Sequence, residues 1–284
     1  MSIKRIILAF LPSLVCTWAI SALAQSADSV KWISEKENAA LWATIRTDFH
    51  DELQPDDPAK VAPVLAYSYK HISRVARYQH SALVLVGHRE TRESKYPGYY
   101  SVFNYDVESH ARRPIKGVEV VSVFKFVEFV RLDAAAPPDI FFTWLTCTEC
   151  EASKVLSAFH YDAGKHEWVL RNWEANKDIW WTSESGPVIW SDVSASDTIS
   201  FDCVHGFLRN TPEIAFGIRC RAVAESEEGK RAITDIAALY NFRGPDSRLE
   251  IVNGEKKTKL LSELCETSLR NKLCKSTAVR AAKE

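Results

Sequence analysis

The sequence predicts a mainly β protein of repeated antiparallel β-meanders, in propeller-like or stacked sheets, with N- and C-terminal helices. Three observations carry that expectation. From Leu65 onward the apolar residues take up a strand-like period. Turn-forming residues punctuate the pattern, as at Asp162-Ala163-Gly164-Lys165 and Arg243-Gly244-Pro245-Asp246. One unit then recurs three times: apolar strand, polar tip, strand ending in two aromatics, turn, strand.

Taken in order, residues 1–24 read as a secretory signal peptide. Lys4 and Arg5 precede an apolar run from Ile6 to Ile20, interrupted by Pro12, Ser13 and Thr17. Ala22-Leu23-Ala24 before Gln25 gives a small-x-small cleavage site. The run falls short of the ~20 residues a membrane span needs. Val15 is too large to precede a lipidated Cys16. Cleavage leaves 284 − 24 = 260 residues with 36 − 2 = 34 Lys and Arg against 37 Asp and Glu. That near-neutral balance gives no electrostatic case for nucleic acid or anionic lipid. No later apolar run approaches spanning length, so no membrane span is expected after cleavage. There is no Asn-x-Ser/Thr site. The expected location is periplasmic or secreted.

Residues 25–60 are expected to form a helix and a linker. Ser34 and Glu37 have capping-box spacing. Leu41, Ile45 and Phe49 lie four apart beside Trp42, giving one apolar face. Pro55-Asp56-Asp57-Pro58 breaks the pattern. Asp51, Glu52, Asp56 and Asp57 read as a solvated linker.

Residues 61–256 hold the three copies. The first is Ala82–Val86, a tip at Thr91–Gly98, then Tyr99–Val107 with Phe103-Asn104-Tyr105-Asp106. The second is Asp139–Leu145, a tip at Cys147–Ser153, then Lys154–Asp162 with Phe159-His160-Tyr161-Asp162, followed by His166–Trp173 as a third strand. The third is Glu213–Ile218, a tip at Glu225–Gly229, then Ile233–Phe242 with Tyr240-Asn241-Phe242, followed by Arg248–Val252. Glu225, Glu227 and Glu228 read as a solvated turn. Residues 257–284 are expected to be helical from Leu260, Leu261, Leu264, Leu269 and Leu273, with a frayed tail.

The segments leading into the later copies carry a family resemblance. Phe129-Val130-Arg131-Leu132-Asp133 runs through Ala134, Ala135, Ala136 and Pro137 into Pro138-Asp139-Ile140-Phe141-Phe142. Ser200-Phe201-Asp202 leads to Thr211-Pro212-Glu213-Ile214-Ala215-Phe216. These resemble degenerate FG-GAP/VCBS-type repeats over roughly Val121–Val252. The resemblance implies blades of a β-propeller. Calcium-binding members offer several Asp or Asn oxygens in the loop. Here Ala134–Ala136 offer none, and a hard cation needs about six oxygens, so no calcium site is expected.

Six cysteines remain after the signal, and an even number in an exported chain favours disulfides, with 15 pairings open. Cys147 and Cys150, close in sequence, are the expected first pair. Cys265–Cys274 requires the chain to turn between them, since one straight helix would hold them about 13 Å apart. Cys203 and Cys220 then pair by elimination.

Cys147-Thr148-Glu149-Cys150 is also the sharpest motif for chemistry, and two readings of the segment after it compete. If Glu151–Phe159 is a helix after the Ile140–Leu145 strand, its N-terminus activates Cys147 as nucleophile with Cys150 resolving, in a thioredoxin-like oxidoreductase. Pro187-Val188-Ile189 then stands where such a fold places its active-site proline. If Lys154–Asp162 is a strand, the cysteines pin a hairpin tip. Zinc held by these cysteines with His160 or His166 is a lesser alternative, since zinc needs four ligands, or three with an open position. Trp173, Trp180, Trp181 and Trp190 form an indole cluster. Trp180, Trp181 and Trp190 are candidates for stacking on a sugar or peptide, against core packing. His50, His71, His80, His88, His110 and His205 are scattered, and no HExxH, GxSxG or phosphate-cradling loop appears. The favoured expectation is a non-catalytic binding protein of the cell envelope with a protein or glycan partner and no cofactor.

Overall fold

The computed structural model describes residues 29–57, 69–94, 98–116, 120–121, 124–148, 151–176, 182–183, 185–193, 198–208, 214–225, 231–267 and 274. Residues 1–24, expected to be a signal peptide, and Cys150, Trp180, Trp181, Leu269 and Leu273 lie outside them. The architecture is mainly β, in two sheets, with two helices among the described residues.

The first sheet has the order β1 (Lys31–Trp32), β2 (Tyr69–Tyr78), β3 (Ser81–Arg89), β4 (Tyr99–Asp106), β5 (Arg112–Pro114), with β6 (Val120–Val121) also on β4. All its pairs are antiparallel. Its central strand explains the unbroken apolar run. Leu83 and Leu85 face the main core, while Ala82, Val84 and Val86 face the other side. Helix α1 (Ala39–Asp48) covers that other side with Leu41, Trp42 and Ile45, and Phe49 follows at its end. Ile45 and Phe49 are fully buried, each contributing about 1.5–3 kcal/mol by area. The helix start corrects the capping-box expectation. Ser34 and Glu37 do exchange their reciprocal bonds, Ser34 N to Glu37 Oε2 at 2.8 Å and Glu37 N to Ser34 Oγ at 3.3 Å. They close a turn, and the helix is capped by Asn38, whose side chain accepts from Leu41 N at 3.0 Å.

The second sheet runs β11 (Asn172–Trp173), β17 (Asp246–Ile251), β16 (Arg231–Arg243), β15 (Ala215–Glu225), β14 (Thr198–Leu208), β13 (Gly186–Val193), β9 (Glu151–Asp162), β8 (Asp139–Thr148), β7 (Lys125–Val130). β10 (Glu167–Leu170) also pairs with β9, and β12 (Thr182–Ser183) with β13. Sheets this wide curl. Phe141 of β8 meets Phe207 of β14 at 4.7 Å and Phe242 of β16 at 5.7 Å across the core. Gly186 permits the close pass of β13 over β9, because a Cβ there would lie 1.6 Å from the Leu156 carbonyl oxygen.

Three expected features change. The tip at Cys147–Ser153 is shorter, since β8 and β9 pair out to Thr148 opposite Glu151. Glu151–Phe159 is strand rather than the helix that a thioredoxin-like site requires. The strand expected over His166–Trp173 is two strands broken at Arg171. β10 pairs with β9, and β11 leaves to run parallel to β17. Asp56 is also not solvated, but joins Lys70 in a half-buried ion pair at 2.6 Å.

The sheets share a core. Trp32 packs on Phe126 at 4.6 Å, and Tyr78 on Tyr161 at 4.9 Å. Asn104 of β4 joins them with polar bonds. Its amide donates to the Trp168 carbonyl and its oxygen accepts from the Trp168 N–H, both at 2.6 Å. Helix α2 (Gly254–Thr267) seats Leu260 and Leu264 on Val204, Leu208 and Ala237. Cys203–Cys220 and Cys265–Cys274 are disulfides; the first joins residues directly opposite on β14 and β15. No helix among the described residues is long and apolar enough to cross a membrane.

Candidate functional site

Four connections meet around a cleft of about 510 Å³: the β2–β3 turn at Gln79, the β7–β8 loop at Asp133–Pro137, the β9–β10 turn and the β16–β17 turn at Gly244-Pro245. Its wall includes Tyr78, His160, Tyr161 and His166. The β7–β8 loop is held locally. Arg131 Nη1 donates to the carbonyls of Ala134 at 3.3 Å and Ala136 at 3.0 Å, and Asp133 Oδ1 accepts from Ala135 N at 2.8 Å. The alanine run that offers no calcium ligand is thus shaped by its flanking charges.

Behind the cleft lies a buried polar cluster. Asp139 opens β8, and its Oδ2 accepts from Arg171 Nε at 2.7 Å and from Arg171 Nη2. Asp139 Oδ1 lies 3.0 Å from His160 Nδ1. Arg171 Nη1 donates to the carbonyls of Gly244 at 2.6 Å and Asp246 at 3.1 Å. Asp139 is 2% and Arg171 1% exposed. The break between β10 and β11 therefore has a cause. At that break the Arg171 side chain ties β8, β9 and the β16–β17 turn together, and these carry three sides of the cleft.

The β9–β10 turn is built by Asp162, whose Oδ1 accepts from Gly164 N at 2.9 Å and Lys165 N at 3.1 Å. Burial opposes the charge of Asp162, but these N–H groups and Lys165 outweigh it and hold the carboxyl below its usual range. The turn ends at His166 in the left-handed region, φ 54°. Tyr161 Oη then stands 3.5 Å from His166 Nδ1. Burial raises the Tyr161 hydroxyl above its ordinary pKa, so it stays a donor at neutral pH.

The β4–β5 turn beside the cleft repeats this construction. Asp106 Oδ1 accepts from Glu108 N at 3.0 Å, Ser109 N at 2.7 Å and Ser109 Oγ at 2.9 Å. His110 has φ 60°, and Tyr105 Oη is 3.3 Å from His110 Nδ1. Here the pair holds Asp48 from the end of α1, whose Oδ2 accepts from Tyr105 Oη at 2.5 Å and lies 2.7 Å from His110 Nδ1. Burial opposes the Asp48 charge, but Tyr105, His110 and Arg112 outweigh it and lower the carboxyl pKa.

The conspicuous residues of the sequence fall elsewhere. Cys147 sits in β8 opposite Ala152 of β9. Trp190 lies in β13, opposite Lys154 of β9. Trp173 is core, 4% exposed. Cys203, Cys220, Cys265 and Cys274 are locked in disulfides. Among the described residues, no three His, Cys, Asp or Glu side chains converge to hold a metal ion. What sequence reasoning missed is the Tyr-Asp pair followed by His at Tyr105-Asp106…His110 and again at Tyr161-Asp162…His166. Its signal was the equal spacing in two of the three copies.

No protein-family model, curated protein or solved structure matches this chain.

Proposed function

We propose that this chain is an exported, non-catalytic binding protein of the bacterial cell envelope, and that it binds through the cleft around Tyr161 and His166. The observation that carries this reading is the convergence of four braced connections on one cleft walled by aromatic and imidazole groups. Binding residues are commonly held on loops by a rigid scaffold, and this size suits a small ligand. The leader pattern at residues 1–24 supports export, and the disulfides fit an oxidising compartment. The three hairpin units are read as diverged copies of one FG-GAP/VCBS-type, propeller-like unit, supported by the matched turns at Asp106 and Asp162. The partner is a glycan or a protein. Trp180, Trp181 and Trp190 remain proposed as secondary contacts.

The test is an array of glycans and peptides probed with the mature chain and with Tyr78→Ala and His160→Ala variants. Saturable retention that both variants weaken is the expected result. Equal retention by all three proteins would place binding elsewhere.

A further inference from the structure

The two Tyr-Asp…His turns share one frame. In each, the aspartate accepts from the second and third N–H groups after it, and the histidine is left-handed. In each, the tyrosine Oη and histidine Nδ1 lie 3.3 to 3.5 Å apart. At Tyr105 and His110 the notch beside these two atoms is filled by a carboxylate, Asp48, that bonds both. At Tyr161 and His166, no carboxylate among the described residues bonds either side chain, and both line the open cleft. Asp106 and Asp162 stand nearby, but the Oδ1 of each is engaged by the N–H groups of its own turn, and Lys165 pairs with Asp162 at 3.5 Å.

Resting on the binding reading above, we infer that the cleft takes a small molecule bearing a carboxylate, which Tyr161 Oη and His166 Nδ1 hold as Tyr105 and His110 hold Asp48. A carboxylate accepts from both donors at once, and such charge-assisted bonds are the stronger kind. A cleft of about 510 Å³ leaves room for a body beyond the carboxylate. Tyr78 and Pro245 on its wall offer flat apolar contact, and His160 adds a polar atom. That combination suits a sugar acid of about one or two rings.

The experiment is calorimetric titration of the mature chain with galacturonate and with its neutral parent, galactose. Wild type is expected to prefer the acid. Tyr161→Phe keeps the ring and removes only the hydroxyl. It is expected to weaken galacturonate binding about tenfold or more and so to abolish the preference over galactose. His166→Gly does the same by a second route, since glycine takes the left-handed position without strain. Tyr105→Phe, outside the cleft, leaves the preference intact. Equal affinity for acid and neutral sugar, or a preference surviving in Tyr161→Phe, would overturn the inference while leaving the cleft a binding site. Saturable binding of tetraglutamate without galacturonate would overturn the small-molecule assignment. Absence of binding by all three probes would overturn the inference, while the glycan and peptide array decides the binding reading separately.

Discussion

The β4–β5 and β9–β10 turns are made alike and end differently. Tyr105 and His110 close on Asp48, which reaches them from α1 and is 57 residues from Tyr105 in sequence. Tyr161 and His166 bond only each other among the described residues and border open space. The same donors therefore serve stability where the chain supplies the acceptor, and stand ready for a ligand where it does not. The difference lies in what each turn faces. The first packs against a helix end, and the second against the proline-bearing loops of β7–β8 and β16–β17.

The comparison breaks most severely at Arg171. Arg171→Met leaves the Asp139 carboxylate buried without its guanidinium and with only the His160 ring beside it, at a cost of about 3–5 kcal/mol. Urea denaturation measures this, and a loss below about 1 kcal/mol would mean the cluster does not brace the cleft. Asp48→Asn comes next, because it removes the charged acceptor shared by Tyr105 and His110. About 2 kcal/mol of stability is expected to go, whereas Tyr161→Phe at the open turn should shift stability by less than about 1 kcal/mol. Equal losses at the two turns would erase the distinction.

Acid sharpens the contrast. Burial holds His88 and His205 neutral down to about pH 4, whereas histidine in the unfolded chain titrates near its ordinary value of 6.5. The unfolded chain binds more protons between those values, so stability is full above about pH 6.5 and falls as pH drops toward 4. One such ring in each sheet weakens both together. Asp48 behaves differently, since its carboxyl lies below the usual range. Its contribution is present above the unfolded carboxyl pKa and lost as pH falls through the folded one. The deficit of Asp48→Asn should therefore persist to about pH 4 and vanish only in stronger acid, as denaturation midpoints across pH would show. A more modest effect than at Arg171 is expected at Asn104. Asn104→Ala removes two bonds between the sheets and should cost about 1–2 kcal/mol, with no change in the preference for an acid over a neutral ligand.

The strands were legible where burial alone decides them. Ala82–Val86 is apolar on both faces because β3 is covered on both faces, and Leu41, Ile45 and Phe49 announce the helix that covers one of them. What failed to show depends on distant partners. Nothing local marks Arg171 as the point where one strand becomes two, because its partners Asp139 and Gly244 lie 32 and 73 residues away. Ser34 and Glu37 carry the capping-box spacing and make its bonds, yet the helix waits for Asn38. The site was hidden by more conspicuous residues. Tryptophans and a CxxC motif draw attention, whereas a tyrosine and a histidine five apart gain meaning only beside Asp48.

The most direct measurement tracks the imidazole signals of His110 and His166 by NMR while galacturonate is added to the chain without residues 1–24. A saturable shift is predicted at His166 and none at His110, whose notch Asp48 already fills. Movement at His110, or silence at both rings while the acid binds, would contradict the proposed division between a filled notch and an open one.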